Sequence, residues 1–289
     1  MARFTHRPTT ILLGAVLSTA GASAAWAPAA HDPDSQGRPQ PASANVLSEH
    51  HTEALDGMSR QAQAEFLLER AINRYQGANE QIVARAESWR GHITLNQRLN
   101  SLFVTALNSD DLGVRAAAIE LNLAALDLKK SSETVDALEP DARSGAQGPR
   151  ANALWRVGLL GNRGVEPGRA FEILMSSIHD DNVNVRYWAV EGLAYLGSEE
   201  TIAPLLGIFR DDPSPMIKER AACSLAQSGM LSARQRMTAV PELIEFAADR
   251  SIDEQTRSWA FQALRDITGQ TLPRDATAWR CWHIASGGR

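Results

Sequence analysis

Residues 180–197, with the sequence DDNVNVRYWAVEGLAYLG, predict the fold most directly. Its apolar side chains recur at spacings of four, four and three, and those spacings predict one face of an α-helix. The apolar positions are Val185, Ala189, Leu193 and Leu196. Asp180 and Asp181 precede the helix, where an N-terminus favours anions, and Gly197 follows it, where glycine readily adopts a left-handed stop.

The same pattern occurs five times along the chain, at spacings of 32 to 39 residues. Aligned on one basic residue, which we call the anchor, the copies are centred on Arg115, Arg150, Arg186, Lys218 and Arg257. Three positions beyond the anchors stand Ala118, Ala153, Ala189, Ala221 and Ala260. A small side chain is needed where two antiparallel helices approach most closely, so the repeated alanine predicts a helix pair in each copy.

Shorter amphipathic stretches lie between these copies and supply the other helix of each pair. They fall at residues 95–107, 168–178, 200–209 and 237–248. Each unit is therefore predicted to be a helix, a tight turn and a second helix, with faces that only a neighbouring unit can cover. The sequence predicts an all-α stack of about five helix pairs.

The recurring pattern Asp…Val-Arg-x-x-Ala-x-x-x-Leu-x-x-Leu-Gly, fullest at residues 181–197, resembles that of the HEAT-repeat family. The resemblance includes the shorter HEAT-like repeats first described in phycobilisome lyases, and it covers residues 95–269, about 60% of the chain. It implies an α-solenoid, as in exported bacterial proteins that contain a HEAT-repeat domain. The second helices of such a solenoid line its concave surface.

The acidic residues before the second helices, Asp110 and Asp181 among them, have two interpretations with the basic anchors. Arg115, Arg186 and Arg257 would form an anion-binding row if their side chains faced an open surface. The resemblance implies instead a ladder of ion pairs between turn aspartates and the anchors of neighbouring repeats. The acids themselves are expected to cap the helices that follow them.

The second unit departs from the pattern. Residues 144–149, SGAQGP, replace the acidic cap, and the helix before them is short. This insertion predicts a looser joint at that place.

The first residues predict export. Arg3 and Arg7 make a basic start, residues 11–17 are apolar, and small residues precede a cleavage site near Ala24. The alternative is an uncleaved membrane anchor, but the apolar run is shorter than the roughly 20 residues a spanning helix needs. Removing this signal peptide changes the net charge from −5 to −7 and leaves a mature chain without a predicted span, periplasmic or secreted.

The domain boundaries follow from these patterns. They are a signal peptide at 1–24, a disordered Pro- and Ala-rich spacer at 25–55, an N-terminal helical cap at 56–93, the HEAT-like solenoid at 94–270 and a Trp-containing cap at 271–289. The two caps are expected to cover the exposed ends of the stack.

No residue pattern indicates catalysis, a cofactor or a metal site. His92, His179 and His283 lie far apart with no second ligand at a metal-binding spacing, and no nucleophile or phosphate-binding motif is present. The negative net charge gives no reason to expect nucleic acid. Cys223 and Cys281 are separated by another repeat, which favours free thiols over a disulfide.

Aromatic and acidic side chains on the second helices are the candidates for binding. They are Tyr187, Trp188, Glu191, Tyr195 and Trp259. They are interpreted either as a groove for a protein or peptide or as packing against the next repeat. The function predicted is a non-enzymatic, protein- or peptide-binding scaffold of the cell envelope or secreted space. The alternatives are a lyase-like or chaperone-like accessory that loads a prosthetic group, and an envelope polysaccharide-binding protein.

Overall fold

The computed structural model describes residues 45–287, with the backbone alone at residues 49–52. The predicted signal peptide and the first part of the predicted spacer, up to residue 44, lie outside the described residues. The predicted end of the spacer at residue 55 is wrong. Helix α1 (Glu49–Asp56) is formed there, and its Leu55 is fully buried because the N-terminal helices close around it.

Two further helices complete the N-terminal cap, α2 (Arg60–Ile72) and α3 (Ala78–Trp89). Buried hydrogen bonds join the three: the Gln63 amide donates to the Leu55 carbonyl at 2.8 Å and accepts from the Trp89 indole at 3.1 Å. Gly77 makes the turn between α2 and α3 with a φ of +88°, a conformation that favours glycine.

Five helix pairs follow, each closed by a tight turn, and they confirm the predicted solenoid. Repeat 1 contains α4 (Gln97–Leu107) and α5 (Leu112–Ala125), repeat 2 contains α6 (Ser132–Ala142) and α7 (Gln147–Asn162), repeat 3 contains α8 (Pro167–Met175) and α9 (Val183–Leu196), repeat 4 contains α10 (Ile202–Asp211) and α11 (Pro215–Ala226), and after the short α12 (Ala233–Met237), repeat 5 contains α13 (Val240–Ala248) and α14 (Glu254–Thr268). Helix α15 (Ala276–Ala285) packs on α13 and buries Trp279 completely.

The repeated alanines lie where the sequence places them. All five are at most 1% exposed, which fits their role at the closest approach of two helices. Gly197 ends α9 with a φ of +64°, as predicted. Within residues 45–287 the structure contains no strand, only an isolated bridge between Val46 and Gln76, and none of its helices meets the length and apolarity needed to cross a membrane.

Three of the five second helices, α5, α9 and α14, have a side-chain cap at the N-terminus, whereas α7 and α11 have none. The Asp111 side chain accepts from the Gly113 amide at 2.7 Å and caps α5. Helix α9 is capped by Asn182, whose side chain accepts from the Asn184 amide at 2.9 Å, and not by Asp181. Asn182 is the residue directly before the helix, and its short polar side chain reaches the free amides as well as aspartate does.

Candidate functional site

Ion pairs join successive repeats along the turns between their helices. Arg150 of repeat 2 lies 3.1 Å from the Asp180 carboxylate of repeat 3. Arg186 of repeat 3 forms a buried bidentate pair with Asp212 of repeat 4, at 2.8 and 3.1 Å. Lys218 of repeat 4 lies 3.3 Å from Asp253 of repeat 5. These three anchors form the ladder that the resemblance implied.

The carboxylates of the ladder differ from those expected in one respect. Asp180, and not Asp181, pairs with the preceding repeat, while the carbonyls of both accept hydrogen bonds from Arg186. Asp110 lies outside the ladder on an exposed edge, where it pairs with Arg74 at 2.8 Å. Of the arginines considered for an anion-binding row, Arg186 is engaged with Asp212 and Arg115 with backbone carbonyls, so the two do not present an open row.

Two anchors lack a carboxylate partner in a following repeat, each for a sequence reason. Arg257 belongs to the last repeat, so no further turn follows it. Arg115 precedes repeat 2, where Ser144 occupies the position of the aspartate. The Ser144 hydroxyl accepts a hydrogen bond from the Ala146 amide at 3.1 Å, just as the Asp180 carboxylate accepts one from the Asn182 amide at 2.9 Å. The hydroxyl carries no charge, so it cannot form an ion pair with Arg115.

Arg115 instead connects repeat 1 with the residues that follow the last helix of repeat 4. Its buried guanidinium donates to the carbonyls of Ser109 and Gly229. Burial lowers the pKa of Arg115 below its usual value. Gly229 follows α11, where helix carbonyls lack partners and the helix dipole favours a cation.

A second buried guanidinium serves the same helix end. Arg236 donates to the carbonyls of Ser224, Ser228 and Leu231 at 2.8 to 3.2 Å. Burial, and then the charge of nearby Arg115, lower the pKa of Arg236 to about 10. The two arginines therefore hold the end of α11 and the segment that follows it by hydrogen bonds to backbone carbonyl oxygens.

Four aromatic rings form a cluster, which we call the aromatic cluster, on α7 and α9. We refer to the second helix of each repeat as its inner helix and to the first as its outer helix. Trp155 contacts Tyr195 and Trp188 edge to face, with ring centroids 4.9 and 5.8 Å apart, and Tyr187 contacts Trp188 at 5.5 Å. Trp155 was missed by the sequence prediction. The repeat pattern could have identified it, because Trp155 stands five residues beyond the anchor Arg150, just as Glu191 stands five residues beyond Arg186.

Two of the predicted groove residues are interior. Glu191 is 7% exposed and forms an ion pair with Arg220 of α11, and Tyr195 is 5% exposed. The prediction that these two side chains line an open groove is therefore wrong, because Arg220 of repeat 4 pairs with Glu191, and Tyr195 lies against Trp155 and close to Arg115 of repeat 1. Burial, with a smaller effect of Glu191, raises the pKa of Tyr187 to about 12, and burial also raises the pKa of Tyr195.

The other predicted binding residues are half-buried. Tyr187 and Trp188 form the accessible edge of the aromatic cluster. Trp259 lies on α14, outside the cluster, because Arg220 takes the equivalent position in the repeat between them. The structure thus brings Tyr187, Trp188, Glu191 and Tyr195 together and leaves Trp259 apart.

Other reactive side chains in the described part of the chain are dispersed. Cys223 is half-buried on α11 and Cys281 is exposed on α15, and both are free thiols. Residues 45–287 contain no group of three or more His, Cys, Asp or Glu side chains placed to hold a metal ion. A shallow groove of about 240 Å³ lies between α13 and α15, beside Glu245, Arg280 and Ile284.

The stacked helix pairs and their ladder define an α-solenoid of helical repeats. Residues 135–226, which span repeats 2 to 4, match the family model described as HEAT repeats. No curated protein matches the chain in sequence.

The solved structures that are similar to the chain include two engineered proteins. One is an engineered protein from the Northeast Structural Genomics Consortium, with 16% identity, 75% of this chain and 94% of that chain covered, and a TM-score of 0.33. The other is a designed armadillo repeat protein, with 19% identity, 72% of this chain and 93% of that chain covered, and a TM-score of 0.32.

Proposed function

We propose that the mature chain is a non-enzymatic scaffold of the cell envelope or secreted space that binds a protein or peptide through the accessible edge of the aromatic cluster. Solenoids of HEAT repeats are generally protein-binding scaffolds. The proposed location rests on the N-terminal signal pattern, with cleavage near Ala24.

The observation that carries this proposal is the support beneath Trp188 and Tyr187. Trp155 and Tyr195 are buried below them in edge-to-face contact, so the half-buried rings are held in place before any partner arrives. Rigid aromatic side chains lose little entropy on binding and are frequent hot spots of interfaces. The ion pair of Glu191 with Arg220 borders the same rings and fixes their helices.

Affinity capture from an envelope fraction, with residues 25–289 as bait and mass spectrometry as readout, tests the binding site. We compare the wild type with Trp188→Ala and with Val183→Ala, a control on the same helix whose side chain is 41% exposed. We expect one protein to be recovered by the wild type and the control but not by Trp188→Ala. Equal recovery by all three contradicts the site, and recovery of a pigment or haem supports the prosthetic-group alternative.

The proposed location has a separate test. The intact mass of protein isolated from the periplasm or medium is expected to correspond to a chain that starts at Ala25. A full-length chain that keeps Met1 and stays in the membrane fraction contradicts export.

A further inference from the structure

The joint between repeats 1 and 2 is packed more thinly than the other joints. Its inner helices α5 and α7 meet over a short stretch, and the outer helices α4 and α6 scarcely meet. By contrast, α7 and α9 touch through their backbones, since a Cβ on Gly158 would lie 2.5 Å from the Gly192 carbonyl oxygen. Helix α3 also packs along α5.

The same joint lacks a rung of the ladder. Ser144 holds the turn of repeat 2 but gives Arg115 no carboxylate, and residues 145–149 beside it are exposed. The ion pair that does cross this joint is between the buried Glu120 and Arg163, at 3.7 Å. Glu120 is also held by Lys130, at 2.8 Å, in the chain that leads out of repeat 1.

Repeat 1 is fastened to repeat 4 instead. The Arg115 guanidinium is 6% exposed and reaches the Gly229 carbonyl, 114 positions along the chain. The next residue, Met230, donates its amide to the Ala194 carbonyl of α9 at 2.7 Å. Arg115 therefore lies over the place where the ends of α9 and α11 meet, beside the buried Tyr195.

We propose that the joint between repeats 1 and 2 is a hinge. Arg115 is the latch that holds repeat 1 closed over the C-terminal ends of α9 and α11, in repeats 3 and 4. Opening at the joint withdraws the guanidinium from Gly229 and uncovers the Tyr195 side of the aromatic cluster. The latch belongs to the packing of this chain, and it does not depend on the binding of a partner.

The variant Arg115→Met tests the latch, since it keeps the apolar stem and removes the hydrogen-bond donors. We expect hydrogen exchange at the Met230 amide to become faster on the order of tenfold, because bonds from a charged donor are lost. Hydroxyl-radical labelling of Tyr195 and the radius of gyration from X-ray scattering should both rise. The control Arg150→Met removes a ladder rung inside the stack and should leave all three measurements at their wild-type values.

Two outcomes would overturn the latch. One is a folded Arg115→Met protein with wild-type exchange at Met230 and wild-type labelling of Tyr195. The other is faster exchange spread evenly over all repeats, which indicates a general loss of stability. If Arg115→Met does not fold, Arg115→Lys is used, which replaces the forked guanidinium by a single ammonium nitrogen. The latch then requires faster exchange at Met230 and stronger labelling of Tyr195 in this variant.

Discussion

At the residue scale, glycines set how closely the inner helices of repeats 2 and 3 approach. Gly158 faces Gly192 across the two helices, and a Cβ on Gly192 would lie 2.9 Å from the Leu154 carbonyl oxygen. The backbone of Gly192 stands where a methyl group on Gly158 would go, and it cannot move as a flexible side chain could. Close approach here is a property of the two residues and not of the repeat pattern, because other repeats carry larger side chains at these positions.

We therefore expect Gly158→Ala to destabilise the protein by about 1–3 kcal/mol, the usual cost of overpacking a filled interior. Gly207→Ala is the matched control, since its Cβ meets nothing within 4 Å in the middle of α10. Alanine is favoured over glycine in a helix, so this control should be neutral or stabilising by up to about 1 kcal/mol. Urea denaturation measures both, and equal stabilities of the two variants would contradict the close approach.

At the element scale, every second helix has a buried stripe along its length, and α5, α9 and α14 also have a side-chain cap at the start. The stripe of α9 includes Val185, which is fully buried, while Val183 two residues earlier is exposed. Asp253 combines both duties in α14, since it caps the helix and pairs with Lys218 of the preceding repeat. Asp253 thus contributes both to its own helix and to one ion pair of the ladder.

Val185→Asp should destabilise the protein by several kcal/mol, because it places an unpaired charge in the interior. Val183→Asp puts the same charge on the same helix in solvent and should change the free energy of unfolding by about 0.5 kcal/mol or less. Thermal denaturation followed by circular dichroism compares the two. Similar melting temperatures would show that the buried face of α9 has been assigned wrongly.

Asp253 should make the stability depend on pH. Hydrogen bonds from the Thr256 hydroxyl and amide, and then Lys218, lower the pKa of Asp253 to about 2. Since the folded pKa lies below the unfolded value, the stabilisation is complete above about pH 4 and is lost as the pH falls through about 2. The difference in urea midpoint between the wild type and Asp253→Ala should therefore shrink over this range.

The control for that pH dependence is Asp253→Asn, whose side chain can cap the helix but does not titrate. Its difference from Asp253→Ala should stay constant between pH 4 and pH 2. A constant difference between the wild type and Asp253→Ala would instead show that the ionised carboxylate is not the stabilising form.

At the scale of the whole molecule, stability depends on covering both ends of the stack. Helix α15 closes the C-terminal end by burying Trp279, whose indole donates to the Pro273 carbonyl at 3.0 Å, and by pairing Arg280 with Glu245 at 2.7 Å. Repeats contact only their neighbours in an ordinary solenoid, so an uncovered end should loosen the last repeat first. The contact of Arg115 with repeat 4 is a departure from that rule.

Trp279→Ala should cost about 3–5 kcal/mol, the usual cost of truncating a large buried aromatic side chain. Hydrogen exchange should show repeat 5 losing protection before repeats 1 to 4. Ile284→Ala is the control, because this side chain on the same helix is 77% exposed and its loss should change stability little. Even loss of protection in all repeats of Trp279→Ala would contradict an end-cap role.

The repeated pattern predicted the helix pairs and their buried alanines, and the resemblance to HEAT repeats implied the ladder. These features depend on positions within one repeat or on equivalent positions in adjacent repeats, so a recurring pattern is enough to predict them. The extra helix α1 escaped prediction because its residues belong to no repeat and its burial depends on α2 and α3.

Which surfaces of the inner helices are open depends on how the repeats pack against one another. Glu191 and Tyr195 stand at positions that face outward in an isolated helix, yet side chains of neighbouring repeats cover both. The pairing of Arg115 with Gly229 was beyond the sequence for the same reason. The angle at each joint arises from the packing of all side chains between two repeats. A contact between repeats 1 and 4 depends on three such angles together, and the spacing of the repeats in the sequence specifies none of them.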